Sequence, residues 1–351
     1  MTIPCLSIPK TKNILFIALG GGGDIALTSV LALSYEKCGG RSFIGGIVWE
    51  RYVVDIIPGP IKLEEFHNIV ETYNDYIAVN AHSYAIRGNR IIHPQIVNAS
   101  KVLNRNLYVF DIYGGPQKLA KSMEDFIRRY NIDLVIGVDV GGDSLAKGYE
   151  ENLWSPLSDA IGVASLAQIS KPSYLALASP GADGELDHKY LYSRVQDIAR
   201  LGGYIGGYIL SIDDINILKE ILKYVNTEAS SIPLLLFREK NENEISIRLG
   251  SRRVEIGFHN LMILLLDSQI VARDSIARYI YGAKDLFEAR EILNELGIYT
   301  ELDLEEDIYR EFLQGKSIET IDVVELRRKG IKSLMKKHFI RTLMKVSDNI
   351  E

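Results

Sequence analysis

The chain has 351 residues and a net charge of −6, with 47% hydrophobic and 25% charged residues. That length supports a large core in one or two domains, and the ordinary balance excludes a disordered or fibrous chain. No apolar run nears the roughly 20 residues that a bilayer span needs, and the eight Lys or Arg between positions 327 and 345, free of acids, leave −14 on the remainder, which argues against a general nucleic-acid binder.

The first residues lack the apolar core of a secretion signal, so a cytoplasmic protein is expected. Cys5 and Cys38 show no metal-ligand spacing and are read as two incidental reduced thiols. Few Cys and Gln beside much Ile, Tyr, Glu and Lys point to a thermophile.

In chain order, residues 13–19 form an apolar first strand, followed at once by Gly20, Gly21, Gly22, Gly23 and Asp24. A buried helix over 25–37 stops at Gly39 and Gly40. A strand over 42–48, ending in Trp49, Glu50 and Arg51, completes a βαβ unit. A short helix over 63–73, a strand over 76–79 and a polar loop over 82–93 come next. A helix over 94–103 leads to a strand over 107–112 that ends in Tyr113, Gly114, Gly115 and Pro116. The next helix carries Leu119, Met123, Phe126, Ile127 and Tyr130 on one face. The β-branched run 134–140 is a buried strand that leaves the sheet through Asp139-Val-Gly-Gly-Asp143. Helices over 156–169, 188–200 and 212–224 alternate with strands over 173–178 and 204–210. Late strands fall at 234–237, 245–248 and 262–266, and the chain is helical after 273.

Alternating strands and helices predict an α/β fold: a doubly wound, mostly parallel, Rossmann-like three-layer sheet over 1–281. A helical C-terminal segment over 282–351 carries the basic tail. In that tail Ile331, Leu334, Met335, Phe339, Leu343 and Val346 recur at helical spacing. This is read as a helix docked on the acidic body, with a partner- or RNA-binding arm over 327–345 as the alternative.

Four strands end in glycine-bearing turns, at 20–24, 113–116, 140–143 and 180–185. In a parallel sheet all four fall on one edge, where α/β proteins bind ligands. Glycine lets backbone N–H groups approach an anion, and a helix N-terminus favours negative charge. Gly20, Gly21, Gly22, Gly23, Gly114, Gly115, Gly141, Gly142 and Gly181 are the candidate phosphate-cradling positions, with Asp24 beside them as ligand contact or helix cap. Asp139 and Asp143 are the candidate Mg²⁺ ligands and catalytic pair, or else Asp143 is a helix cap and Asp139 an acceptor for backbone N–H groups. Asp183 and Glu185 are placed to bind ribose hydroxyls, with Glu185 as a possible base. Gly21, Gly23 and Ala26 fit a loose dinucleotide pattern, with Glu50 as the acid after the second strand. A P-loop is excluded because no Lys-Ser/Thr follows the glycines. A serine hydrolase is excluded by the lack of a nucleophile elbow. His188 is read as a surface or capping residue.

These motifs together resemble the archaeal domain-of-unknown-function 1152 family. The resemblance rests on Gly20 to Asp24, on Gly137-Val-Asp-Val-Gly-Gly-Asp143 with Gly148, Glu150 and Ser155-Pro-Leu-Ser-Asp159, and on Pro180-Gly-Ala-Asp-Gly-Glu185. It covers about the first 300 residues and implies one α/β unit with a shared site, and no activity. The expected function is binding of a nucleotide or another phosphorylated small molecule at the C-terminal sheet edge, with Mg²⁺-assisted phosphoryl transfer or hydrolysis. The alternatives are an NAD(P)-dependent oxidoreductase and a non-catalytic, ligand-sensing homo-oligomer.

Overall fold

The computed structural model describes residues 5–8, 11–238 and 243–347, with side chains to 336. Its main sheet has nine strands: β1 (Asn13–Ala18), β2 (Arg41–Gly46), β3 (Glu71–Thr72), β4 (Tyr76–Val79), β5 (Leu107–Phe110), β6 (Leu134–Val140), β7 (Ser173–Ala178), β8 (Tyr204–Ile209) and β9 (Met262–Asp267). Their order is β8-β9-β7-β6-β1-β2-β5-β4-β3. The five central strands, β7 to β5, are all parallel. The outer pairs run antiparallel to them or to each other.

The pleat of β1 explains the layering. Ile14, Phe16 and Ala18 enter one buried cluster with the helix Ile25–Lys37. Leu15, Ile17 and Leu19 enter the other, with helices Gly115–Tyr130 and Pro156–Leu166. Successive side chains of a strand point to opposite faces, so an unbroken apolar run is what a strand covered on both faces requires. A third cluster joins Trp154 to Tyr299, Leu304, Ile308 and Val323, seating the C-terminal helices Glu301–Leu313 and Val323–Ser347. Ile331 and Leu334 pack against it, whereas Met335 is exposed. Phe339, Leu343 and Val346 lie beyond the described side chains. No helix among the described residues is long and apolar enough to cross a membrane.

Several expectations are corrected. The helix expected over 63–73 is a single turn at Leu63–Glu65 followed by the strand Phe66–His67 and then β3. Asn68, at φ 51°, is left-handed and ends any helix there. The polar loop at 82–93 is a hairpin, Tyr84–Arg87 with Arg90–Ile92. Its two central residues, Gly88 and Asn89, both have positive φ, as a tight hairpin turn demands. The strand expected at 234–237 is the short helix Ile232–Leu235, opened by Pro233.

Cys5 and Cys38 are not free thiols. They form a disulfide with Cα atoms 5.8 Å apart across 33 residues of sequence, tying the N-terminal segment to the end of the first helix. Closing a loop of that length in the unfolded chain restricts it, worth about 4 kcal/mol. The variant Cys38→Ser is expected to lose that amount, read as a fall in the urea midpoint. Wild-type protein in reductant should match the variant.

Candidate functional site

The first glycine turn is built by close approach. Gly22 donates its N–H to the Trp49 carbonyl at 3.1 Å, and Asp24 donates to Gly21 at 3.1 Å. A Cβ at Gly22 would lie 2.5 Å from Glu50 Oε1, and one at Gly20 would lie 2.6 Å from Asp159 Oδ2. The chain therefore needs glycine here to pass between carboxylates. The Gly22 N–H, expected to face a ligand, is thus spent on the Trp49 carbonyl.

Gly21, Gly22, Gly23, Asp24 and Glu50 line a cavity of about 330 Å³, within the range of small-molecule sites. Arg51, Arg248 and Arg252 line it too, as do Tyr52, Val53, Trp154, Leu249, Leu304 and Val323. One wall is thus cationic and another aromatic and apolar. Among the described residues, Arg51 donates a hydrogen bond to the Ser155 hydroxyl alone, at 3.4 Å. Burial works against its charge, but Glu185, Glu301, Glu305 and Asp24 outweigh this and hold its pKa above the ordinary value. Burial and the neighbouring Arg51 and Arg252 push Arg248 down to about 10. Nε of Arg248 and Nε of Arg252 are buried with no hydrogen-bond partner among the described residues. Arg248 and Leu249 also have φ of 52° and 54°, conformations that non-glycine residues rarely adopt.

Most carboxylates near the cavity are structural. Glu50 accepts the Gln95 N–H at 2.8 Å. Glu301 accepts Leu157 and Ser158 N–H at the start of the helix Pro156–Leu166. Glu305 accepts the Trp49 indole and Gly59 N–H, each at 2.9 Å. Burial pushes all three up to about 7. Glu185 takes the Trp154 and Ser155 N–H groups, the Ser155 hydroxyl and the Arg252 guanidinium. Burial opposes its charge, but Arg252 and those donors hold its pKa below the ordinary value. A carboxylate so occupied is a poor base, contrary to the expected role.

The expected Asp139–Asp143 pair is divided between two carboxylate groups. Asp139 meets Asp24 and Asp159, while Asp143 meets Asp183 and Glu185. Asp139 accepts the Gly142 and Ser144 N–H groups and the Ser144 hydroxyl. Burial, then the charges of Asp159 and Glu185, raises the Asp143 pKa strongly. Neither residue lines the cavity. Gly141 and Gly181 are joined by a 2.7 Å hydrogen bond, and Gly142 packs on Leu177 and Leu191. Gly114 and Gly115 are not at the cavity: Gly115 abuts the backbone of Ala283 and Asp285. Their strand, β5, is two places from β1, roughly 10 Å away at ordinary strand spacing.

His188 is not the helix cap. Asp187 caps that helix through Lys189 N–H, and His188 stacks on His259 with ring centroids 4.1 Å apart. In the basic tail, Arg327 donates to the carbonyls of Glu151 and Leu153 and lies 4.6 Å from the Trp154 ring centre, with Arg252 also against that ring at 5.0 Å.

Sequence reasoning missed Arg51, Asp159, Arg248, Arg252, Glu301 and Glu305 as site residues. Two of them had a local signal: Arg51 adjoins Glu50 at a strand end, and Asp159 ends the motif Ser155-Pro-Leu-Ser-Asp159. No curated protein matches the chain. The family model described as "Protein of unknown function (DUF1152)" matches residues 15–309, from β1 into the helix that supplies Glu301 and Glu305, and the chain belongs to that family.

Proposed function

We propose that the cavity binds a phosphorylated small molecule, a nucleotide above others, and that the chemistry done on it is metal-assisted phosphoryl transfer or hydrolysis. One observation carries this reading: two buried guanidinium Nε–H groups without an acceptor among the described residues, beside Arg51, on a cavity that Trp154 and Tyr52 also line. Buried donors without partners are unfavourable, and an anionic group satisfies them in bidentate fashion. Tyr52 offers a base an aromatic contact.

Strand order supports the reading. Numbered along the chain, the five parallel strands lie 3-2-1-4-5, the arrangement of Rossmann-like, doubly wound sheets, whose ligands sit beyond the C-terminal ends of the strands. The same order favours a second reading, an NAD(P)-dependent oxidoreductase with Glu50 following β2. Against it, Glu50 already holds the Gln95 N–H.

A thermal-shift series with ATP, GTP, NAD and sugar phosphates, with and without Mg²⁺, tests both. Stabilisation grows with ligand concentration over Kd. Nucleotides or sugar phosphates are expected to raise Tm. Arg51→Met is expected to weaken them about 10- to 100-fold, the loss of one hydrogen bond to a charged group. Stabilisation by NAD alone supports the second reading, and no response to any compound overturns both. Stabilisation without turnover leaves a ligand-sensing protein.

A further inference from the structure

Asp24, Asp139 and Asp159 come from the first glycine turn, from β6 and from the helix Pro156–Leu166, and meet in one buried group. One oxygen from each lies within 4.8 Å of the others. Asp139 is supplied with donors by Gly142 and Ser144. Asp24 has the Val140 N–H at only 3.5 Å. Asp159 lies in the first turn of its helix, where the partial positive charge of the N-terminus favours a carboxylate. Even so, its Oδ1 is buried, at a residue 1% exposed, and has no hydrogen-bond partner among the described residues.

Three carboxylates this close are costly to ionise without a counter-charge. Burial, then the charge of Asp139, pushes Asp24 up to about 7. Burial pushes Asp139 up to about 6 against the donors around it. Burial, then Asp139 and Asp24, pushes Asp159 well above the carboxylate range. The positive charge of Arg51 eases Asp24 and Asp159, but no ion pair joins any of the three to a lysine or arginine among the described residues. The second carboxylate group differs, because Arg252 bonds Glu185 within it at 2.7 Å.

We propose that Asp24, Asp139 and Asp159 hold one divalent cation of the hard, oxygen-preferring class, Mg²⁺ or Mn²⁺, with the orphaned Asp159 oxygen as one of its ligands. An all-carboxylate donor set selects that class. Position 20 fits the role, since any side chain there would enter the space between Asp24 and Asp159. Asp24 also lines the cavity, so the cation stands where a phosphate oxygen can complete its shell. The inference deepens the reading above by naming its metal site, and it is testable without any phosphate.

The test is an electron paramagnetic resonance titration of the full chain with Mn²⁺ alone, in which bound ion loses the free-ion signal. One equivalent per chain is expected, displaced by Mg²⁺. Asp159→Asn should weaken Mn²⁺ at least tenfold while the circular dichroism spectrum stays unchanged. Asp24→Asn, at the cavity wall, serves if the first variant does not fold. Glu255→Gln, in the surface group of Asp187, His188 and Glu255, should leave the equivalent intact. No bound Mn²⁺, wild-type affinity in both Asn variants, or loss of the ion in Glu255→Gln overturns the proposal. Mn²⁺ binding without stabilisation by any phosphorylated compound keeps this site and removes the ligand reading, and the converse result does the opposite.

Discussion

Glu185→Ala is expected to lower the unfolding free energy by about 4 kcal/mol, because removing one partner of a buried ion pair strands the other. Glu185 and Arg252 have side chains 0% and 7% exposed and bond at 2.7 Å. The substitution also leaves the Trp154 and Ser155 N–H groups without their acceptor. Each unsatisfied buried donor adds of the order of 1 kcal/mol or more. Guanidinium-induced unfolding at pH 7 measures the loss, and Glu185→Gln, which keeps an acceptor but not the charge, should lose about half as much. The pH dependence has a fixed sign. The folded-state pKa of Glu185 is held below the ordinary 4.5, so its contribution is fully present above pH 4.5 and fades as pH falls through the folded value. The gap between wild type and Glu185→Ala should therefore narrow only below that pH. A gap that is constant down to pH 3 would remove the ion pair as its cause.

Gly141→Ala is expected to be comparably severe, about 4 kcal/mol, from two additive sources. Gly141 sits at φ 128°, a region other residues avoid, at about 1–3 kcal/mol for the strain. A Cβ there would also lie 2.6 Å from Asp183 Cβ, inside any tolerable contact. The hydrogen bond from Gly181 to the Gly141 carbonyl would be displaced as well. Gly202→Ala is the control: its φ is 83° but nothing lies within 4 Å of the added carbon. It should lose only about 1 kcal/mol, the strain alone. Equal midpoints for the two variants in urea would show that crowding at the acidic corner does not matter.

The central strands were legible because they are short apolar runs bounded by glycine-bearing turns, which length separates from the longer buried helices. β6, Leu-Val-Ile-Gly-Val-Asp-Val, is buried at every position. The hairpin at 84–92 escaped because its strands, of four and three residues, are too short to show a clean alternation, and its turn, Gly88-Asn89, inverts the commoner Asn-Gly order. The segment 234–237 misled because a four-residue apolar run fits strand and helix alike, and only Pro233 tips it to helix. At the site, the glycine turn and Glu50 were visible as local motifs. Arg248, Arg252, Glu301 and Glu305 were not, because nothing near them in sequence differs from an ordinary loop or an acidic first helical turn. Asp159 was in view only as the end of the motif Ser155-Pro-Leu-Ser-Asp159, and its burial beside Asp24 and Asp139, which gives it a role, needed the fold.

The chain has two tryptophans, and both belong to this one region. Trp49 hands its carbonyl to Gly22 and its indole to Glu305, while Trp154 lines the cavity beneath two guanidinium groups. The protein thus carries a built-in optical probe. Any guest that draws Arg252 off the Trp154 ring should alter the native emission spectrum, so occupancy can be followed in unlabelled protein.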